Sequence, residues 1–253
     1  MELELTALLF LAVAGFLAAF LDAIAGGGGL ISLPALLSVG LPPVAALATN
    51  KMQSVVGTTV AAITYWRKGY IDIKNLITPI VFTIIGSVAG AVTARSLDTA
   101  FLNLLVPILL IAVSLYFAIS PKMTDDAKKA RLPFLIFGPV MGFIVGYYDG
   151  VFGPGTGSFF IVGFVTLFGF GLTRAVGNTK VLNATSNLSA LCFFIFAGEV
   201  IWVAGAAMIV GQIAGGYLGA RVGMKFGANL IKPLIVVISM TMAIRLLWPI
   251  IFS

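Results

Sequence analysis

Apolar residues occur in long runs along the whole chain, and only short polar stretches separate them. A hydrocarbon core of about 30 Å needs roughly 20 apolar helical residues to cross it, so each long run predicts a transmembrane helix. The predicted long helices are 5–25, 43–66, 75–94, 98–119, 132–150, 172–197, 200–220 and 230–252. The pattern therefore predicts an all-α integral membrane protein.

Two shorter apolar segments, 30–39 and 158–169, each follow a glycine-rich stretch. Each is too short to cross the bilayer alone. Because only a helix satisfies its own backbone in lipid, a glycine-rich interruption at membrane depth must face protein or a water-filled cavity. We therefore predict one short broken or re-entrant helix in each half of the chain.

The two halves of the chain repeat the same order of features. Under an offset of 127 residues, which becomes 129 after a two-residue insertion, the matched pairs are Asp22 with Asp149, Gly28 with Gly155, and Lys51 with Lys180. This order predicts two homologous repeats, 1–119 and 132–253, joined by a hydrophilic cytoplasmic linker, 120–131. Each repeat is expected to contain about four long transmembrane helices and one short helix.

Lys and Arg occur at different loops in the two halves. In the first half they cluster at 67–74, and the matching second-half loop near Gly198 has none. In the second half they cluster one loop later, at 221–232. Because cytoplasmic loops carry an excess of Lys and Arg, this difference favours inverted repeats with both termini outside the cytoplasm. The alternative is eight crossings in parallel halves.

Composition excludes several classes of protein. Hydrophobic residues make up 60% of the chain and charged residues 9%, whereas a soluble domain has about 25% charged residues. A soluble enzyme, a nucleic-acid-binding module and a disordered chain are therefore not expected. The chain has no histidine and one cysteine, which removes the commonest general base, the commonest metal ligand and any disulfide framework. We expect no enzymatic activity, no cofactor and no metal.

Each repeat has one lysine inside a long apolar helix, Lys51 in the first and Lys180 in the second. A charge inside the bilayer costs at least about 2.5 to 3.5 kcal/mol on insertion scales, so it usually faces a cavity and has a function. The alternative is that each lysine extends to a lipid headgroup. Polar neighbours favour the cavity, and they are Thr49, Asn50, Asn178, Thr179 and Asn183.

The glycine-rich stretches are the second candidate feature. Free N–H groups at a helix N-terminus carry partial positive charge and attract anions. The candidate residues are Gly27, Gly28 and Gly29 in the first half and Gly155, Thr156 and Gly157 in the second. The alternative is close helix packing. We expect packing for two other series that recur every four residues, Gly138, Gly142, Gly146 and Gly150, and Gly211, Gly215, Gly219 and Gly223.

Asp22 and Asp149 precede the two glycine-rich stretches at matched positions. Three roles are open for them. They could neutralise Lys51 and Lys180 in an empty cavity, carry a proton or bind a cation for coupling, or accept hydrogen bonds from freed backbone N–H groups. With no histidine in the chain, proton coupling would depend on these carboxylates or on Glu199.

Several stretches of the chain resemble one known family. They are Gly26 to Leu37, Gly40-Leu41-Pro42-Pro43 and Ala48-Thr49-Asn50-Lys51 in the first half, and Gly153 to Gly157 and Arg174 to Lys180 in the second. These stretches resemble the TauE/SafE sulfite exporter family, also described as sulfonate permeases, and the similarity covers about 10–250. The resemblance implies a polytopic inner-membrane transporter of bacteria or archaea for sulfite, sulfonates or related anions, which such proteins often export.

We therefore predict a multi-pass secondary carrier of the inner membrane that exports small sulfur-containing oxyanions by alternating access. Lys51 and Lys180, with N–H groups near Gly28 and Gly155, are predicted to hold the anion, and nearby Asn and Thr side chains to orient it. The expected partners are the anion and membrane lipid, and a homo-oligomer is compatible with the sequence. An anion channel with the same cavity and a non-transporting subunit of a larger complex are the alternatives.

Overall fold

The computed structural model describes residues 3–98 and 133–226, and between them only 100–102, 104, 105, 108, 111, 112, 115, 125 and 129–131. These residues form helices and connecting turns, with no strand among them. The predicted helix 230–252, most of the predicted helix 98–119 and most of the linker 120–131 lie outside the described residues.

The helices follow the hydrophobic pattern closely. They are α1 (Leu5–Ala25), α2 (Gly29–Ser38), α3 (Pro43–Trp66), α4 (Ile77–Ser96), α5 (Phe134–Val151), α6 (Thr156–Thr166), α7 (Leu172–Phe196) and α8 (Trp202–Phe226), with a 3-10 turn, Ile73–Leu76, before α4. The predicted bounds of α1 and α3 are confirmed, and those of α4, α5 and α7 differ by one or two residues. Both short helices occur near their predicted places, but α2 begins and ends one residue earlier than predicted, and α6 begins two and ends three residues earlier.

The end of α8 was predicted too early. The prediction ended this helix at residue 220, before the first charge, but it continues to Phe226. Arg221 and Lys225 therefore lie on the helix rather than in a loop. The Arg221 guanidinium lies 4.6 Å from the ring centroid of Tyr217, one turn earlier. Cations near a helix C-terminus are also favoured by the helix dipole.

Three of the described helical segments are apolar and long enough to cross a membrane: α1, Ile73–Ser96 and α8. Many of their large apolar side chains are exposed, as expected for a surface that faces lipid rather than water. The helices α3 and α7 are of similar length, but many of their polar side chains, including Thr49 and Ser186, are buried inside the protein. The described part of the chain is therefore that of an all-helical integral membrane protein.

Glycines that recur every four residues form one stripe on α5 and one on α8. These stripes bring helices from the two halves into direct backbone contact. The stripe on α8 meets the backbone of α1, and the stripe on α5 meets the backbone of α4. The contacting pairs include Gly211 with Ala12, Gly219 with Phe20, Gly142 with Pro79 and Gly150 with Ser87. The prediction that these glycines pack helices is confirmed. Because each contact reaches a main-chain oxygen, any side chain there would separate the two helices.

The two central helices, α3 and α7, are antiparallel. Thr49, near the start of α3, accepts a 3.0 Å hydrogen bond from the Ile201 nitrogen, beyond the end of α7. Asn178, near the start of α7, accepts a 3.3 Å hydrogen bond from the Asp72 nitrogen, beyond the end of α3. The two bonds join matched positions, because Thr49 and Asp72 lie 129 residues before Asn178 and Ile201.

The helices α4 and α8 also run in opposite directions. Arg67, just before the turn that leads to α4, lines the same groove as Arg221 near the end of α8. At the other end of the molecule, Arg95 near the end of α4 lies 3.5 Å from Glu199, just before α8 (Nε to Oε1). The basic residues at the ends of α3 and α8 therefore lie at the same end of the protein.

Candidate functional site

Two buried ion pairs join the halves of the chain at its centre. Nζ of Lys51 lies 2.9 Å from Oδ1 of Asp149 and donates to the main-chain oxygen of the same residue. Nζ of Lys180 lies 2.8 Å from Oδ2 of Asp22 and also donates to its main-chain oxygen. The lysine side chains are 1% and 0% exposed. Both ammonium groups are therefore inside the protein, and each binds the aspartate of the other half.

The glycine-rich stretches 26–29 and 153–157 interrupt the helices, and these two breaks bring the aspartates together. The helix α1 ends at Gly26, whose φ of 80° lies in the left-handed region, and α6 begins after Gly155 with a φ of 85°. A side chain on Gly26 would collide with the main chain of Gly157, so the two breaks touch. Ser158 donates a hydrogen bond to the Ala25 oxygen across the same contact. The N-termini of α2 and α6 therefore meet at the centre of the protein.

A small polar pocket of about 20 Å³ lies between the two breaks and the central helices. A cavity needs about 10–15 Å³ to hold one water, so in this conformation the pocket has room for about one water molecule. Its lining residues are Ala18, Asp22, Gly26, Gly28, Gly29, Asn50, Ser54, Thr58, Asp149, Gly153, Gly155, Gly157, Asn183, Asn187 and Gln212.

Two buried side-chain amides present unused donors at this pocket. Oδ1 of Asn50 accepts hydrogen bonds from Ser32 at 2.5 Å and from Gln53 at 2.7 Å. Oδ1 of Asn183 accepts one from Asn187 at 3.1 Å. The Nδ2 groups of Asn50 and Asn183 have no partner among the described residues, although the two side chains are only 3% and 5% exposed. Each amide therefore has N–H groups available to a ligand.

The helix N-termini add main-chain donors. The nitrogens of Gly27, Gly29, Gly155 and Gly157 have no hydrogen-bond partner in the part of the chain that the structure describes. Only the Gly28 nitrogen approaches a side chain here, at 3.4 Å from Oδ1 of Asp22. The first N–H groups of a helix have no partner within it and carry partial positive charge. The breaks therefore supply donors that suit an anion.

The pocket contains part of the predicted set of site residues. The predicted residues that line it are Asp22, Gly28, Gly29, Asn50, Asp149, Gly155, Gly157 and Asn183. Lys51 and Lys180 lie behind the aspartates, and Gly27, Thr156 and Thr179 also lie outside the lining. Thr49 and Asn178 hold the loops after α7 and α3. Thr179 Oγ1 is buried and has no partner among the described groups.

Several lining residues were not predicted. Ser54 and Thr58 follow Asn50 at intervals of four residues, and Asn187 follows Asn183 at the same interval. Residues four apart share one face of a helix, so this spacing could have identified the stripe. Gln212 carried no such signal, because it is an isolated amide in a glycine-rich apolar helix. No group of three or more acidic or cysteine side chains that could hold a metal occurs among the residues described.

Comparisons with known proteins place the chain in one family of membrane proteins. The sequence model of a family described as "Sulfite exporter TauE/SafE" matches residues 11–246. The chain is 44% identical over 246 residues to a probable membrane transporter protein of Sinorhizobium sp., covering 97% of this chain and 94% of the relative. It is 41% identical to one of Haemophilus influenzae, covering 97% and 96%. It is 42% identical to the probable membrane transporter protein YfcA of Escherichia coli, covering 92% and 86%. No solved structure matches the chain significantly.

Proposed function

Because the chain belongs to the TauE/SafE sulfite exporter family, we propose that it is a secondary transporter that exports small sulfur-containing oxyanions across the bacterial inner membrane. Its relatives are named as membrane transporters, which supports transport. The substrate class rests on the chemistry of the central pocket together with the name of the family.

The observation that carries the proposal is the set of unused donors at the pocket. The amides of Asn50 and Asn183 and the main-chain N–H groups of three lining glycines have no described partner. A buried polar group without a partner costs about 1–3 kcal/mol, so such donors are arranged for a ligand or water. A sulfur oxyanion presents several acceptor oxygens in a small volume, and it can accept from donors on both sides of the pocket at once.

The aspartates explain how a site for anions remains stable when it is empty. Lys51 and Lys180 are neutralised by Asp149 and Asp22, so the four side chains carry no net charge. Lone charges would be costly in this setting. An incoming anion would compete with a carboxylate for a lysine and would use the N-terminal ends of α2 and α6 as additional positive poles.

The transport cycle that we propose uses two inverted repeats. The antiparallel pairs α3 with α7 and α4 with α8, and the crossed lysine–aspartate pairs, support this organisation. In such proteins one repeat rocks against the other about a site near the bilayer midplane. A potential that is negative inside favours anion exit by about 2.3 kcal/mol per charge per 100 mV, which supports export.

Flux of sulfite into proteoliposomes that contain the purified protein tests this proposal. Asn50→Asp and Asn183→Asp keep the size and the accepting oxygen of each side chain, but they remove N–H donors and add negative charge. Losing a hydrogen bond to a charged ligand costs about 1.5–3 kcal/mol, so we expect the apparent affinity to fall about 10- to 100-fold.

Asn75→Asp is the matched control, because Asn75 is exposed in the turn before α4 and lies outside the pocket. It should transport sulfite like the unchanged protein. Saturation and counterflow of labelled sulfite are expected of a carrier, whereas large single-channel currents would favour a channel. If both pocket variants transport like the control, the assignment of the pocket is wrong.

A further inference from the structure

The two ion pairs occupy matched sequence positions, but the carboxylate of Asp149 is much more enclosed than that of Asp22. Oδ1 of Asp149 lies 2.9 Å from Lys51 and 2.8 Å from the Thr156 hydroxyl. Its Oδ2 accepts a hydrogen bond from Ser186 at 2.5 Å. The side chain is 2% exposed. Both oxygens of Asp149 are thus already in use.

Asp22 is more open. Its Oδ2 accepts from Lys180 at 2.8 Å, and its side chain is 14% exposed. The other oxygen, Oδ1, has only the Gly28 nitrogen at 3.4 Å among the described groups, which is longer than a normal N–H···O hydrogen bond. Because Asp22 lines the pocket, this oxygen can exchange a proton with pocket water without losing a strong donor.

The difference between the aspartates arises at two glycines. Ser186 and Thr156 supply hydroxyl groups to Asp149, and their matched positions in the first half are Gly57 and Gly29. A glycine has no side chain, so Asp22 receives neither hydroxyl. At Gly57 the space where a side chain would project is filled by Oε1 of Gln212. The sequence therefore leaves one of two matched carboxylates open.

Few titratable groups surround Asp22, and most of them are already engaged. Lys180 on α7 is its ion-pair partner, and Asp149 on α5 shares the pocket but is bound by Lys51 of α3. Tyr65 on α3 donates a hydrogen bond to the Ala23 oxygen, next to Asp22. The helices α2 and α6 contain no titratable residue, and α8 contributes only the neutral Gln212 to the pocket lining.

We propose that Asp22 is the proton-binding site that couples proton movement to anion transport, and that Asp149 stays bound to Lys51 throughout the cycle. This inference rests on the proposed function. The anion binds Nζ of Lys180 and breaks its contact with Oδ2 of Asp22. A proton from pocket water then adds to the released carboxylate. On the opposite side the anion leaves, the proton returns to water, and the ion pair forms again.

Charge balance selects a proton rather than a metal cation. When the anion binds Lys180, the carboxylate of Asp22 loses its partner. A largely buried charge without a partner is costly. A proton cancels that charge at the carboxylate itself and needs no space. A metal cation needs several oxygen ligands, and the other carboxylate of the pocket lining, that of Asp149, is already bound by Lys51.

The cycle moves one proton with each anion. Transport of a singly charged anion is then electroneutral, and transport of a doubly charged anion moves one net negative charge. Only in the second case does a membrane potential that is negative inside favour export, and a proton gradient directed inward opposes the exit of the proton in both cases.

The test uses the full-length protein in proteoliposomes with labelled inorganic sulfite and the membrane potential clamped at zero. Two assays are compared: exchange of sulfite at equal pH, and accumulation driven by a tenfold proton gradient. The unchanged protein should exchange sulfite and accumulate it about tenfold, since a tenfold gradient supports a tenfold ratio at one-to-one coupling. Protein-free vesicles give the background from neutral sulfur dioxide that crosses the lipid. Both pH values are kept well below the pKa at which the hydrogen sulfite ion loses its proton, so that the substrate is the singly charged ion on both sides.

In Asp22→Asn, any exchange that remains should no longer be coupled to the proton gradient, because the new side chain cannot gain and release a proton. Asp22→Glu restores a carboxylate and should restore accumulation. In Asp149→Asn, any exchange that remains should stay coupled to the proton gradient. Gradient-driven accumulation by Asp22→Asn that equals that of the unchanged protein would overturn the inference, and so would coupling of the unchanged protein to sodium instead. Absence of sulfite exchange in the unchanged protein would instead reject the proposed function.

Discussion

Lys51 and Lys180 lie at matched positions, and each binds an aspartate from the other half of the chain. Burying such a pair does not by itself imply stability, since the cost of removing two charges from water offsets much of their attraction. Removing one partner is different, because the other charge is then buried alone. These ion pairs therefore hold the two halves together. A lysine can separate from its aspartate only if another charged group takes the place of its partner.

At this scale we predict that Lys51→Met strongly destabilises the protein, by about 3–5 kcal/mol, because Asp149 would keep a buried charge without its ammonium partner. The double variant Lys51→Met/Asp149→Asn should recover most of the loss. The measurement is the free energy of unfolding in detergent.

Arg95→Met is the matched control, because Arg95 and Glu199 form an ion pair with side chains 52% and 30% exposed. An exposed ion pair contributes about 0–1 kcal/mol, so this variant should be nearly as stable as the unchanged protein. A Lys51→Met variant as stable as Arg95→Met would contradict the buried pair.

At the scale of the helices, glycine has two distinct uses in this protein. At the breaks, Gly26 and Gly155 adopt positive φ angles and allow the chain to turn at the centre. On α5 and α8, glycines that recur every four residues allow main chains to touch. The sequence pattern identifies the second use, because glycines at intervals of four lie on one face of a helix. Adjacent glycines do not by themselves identify a break, since Gly215 and Gly216 lie inside α8.

The stripe on α8 leads to a prediction about helix packing. Gly215→Val should strongly reduce the yield and thermal stability of the protein, because the new side chain would meet the Phe16 oxygen on α1. Overpacking of this kind typically costs about 1–3 kcal/mol or more. Ala214→Val is the control, since Ala214 is the preceding residue of α8 and is exposed. Equal losses in the two variants would mean that the contact with α1 is not responsible.

At the scale of the whole molecule, the directions of α4 and α8 place their basic ends together. Arg67 and Arg221 line one groove, whereas Arg95 and Glu199 lie at the other end. By the rule that cytoplasmic loops are rich in Lys and Arg, the end with Arg67 and Arg221 should face the cytoplasm.

Cysteine labelling tests this orientation. In a Cys192→Ala background, Glu199→Cys should react with an impermeant maleimide in intact cells. Lys68→Cys and Lys225→Cys should react only after the membrane is permeabilised, and permeabilised cells serve as the control for all three sites. Labelling of the sites at 68 and 225 from opposite sides would contradict the inverted arrangement. Labelling of both from outside would keep the inversion but reverse the orientation.

The described helices and the two buried lysines follow from the chain alone. Lipid requires long apolar runs and makes isolated charges costly, so these helices and lysines could be identified without a structure. The end of α8 could not, because Arg221 looked like a loop residue until its packing on Tyr217 was known.

Which groups meet depends on the tertiary fold. The exchange of partners between Lys51, Lys180 and the two aspartates depends on how distant helices cross, as does the entry of Gln212 into the pocket. The difference in exposure between Asp22 and Asp149 also depends on how the helices cross, because the crossing sets which side chains surround each carboxylate. A local sequence pattern fixes the face on which a residue lies, but not the neighbour that the face will meet.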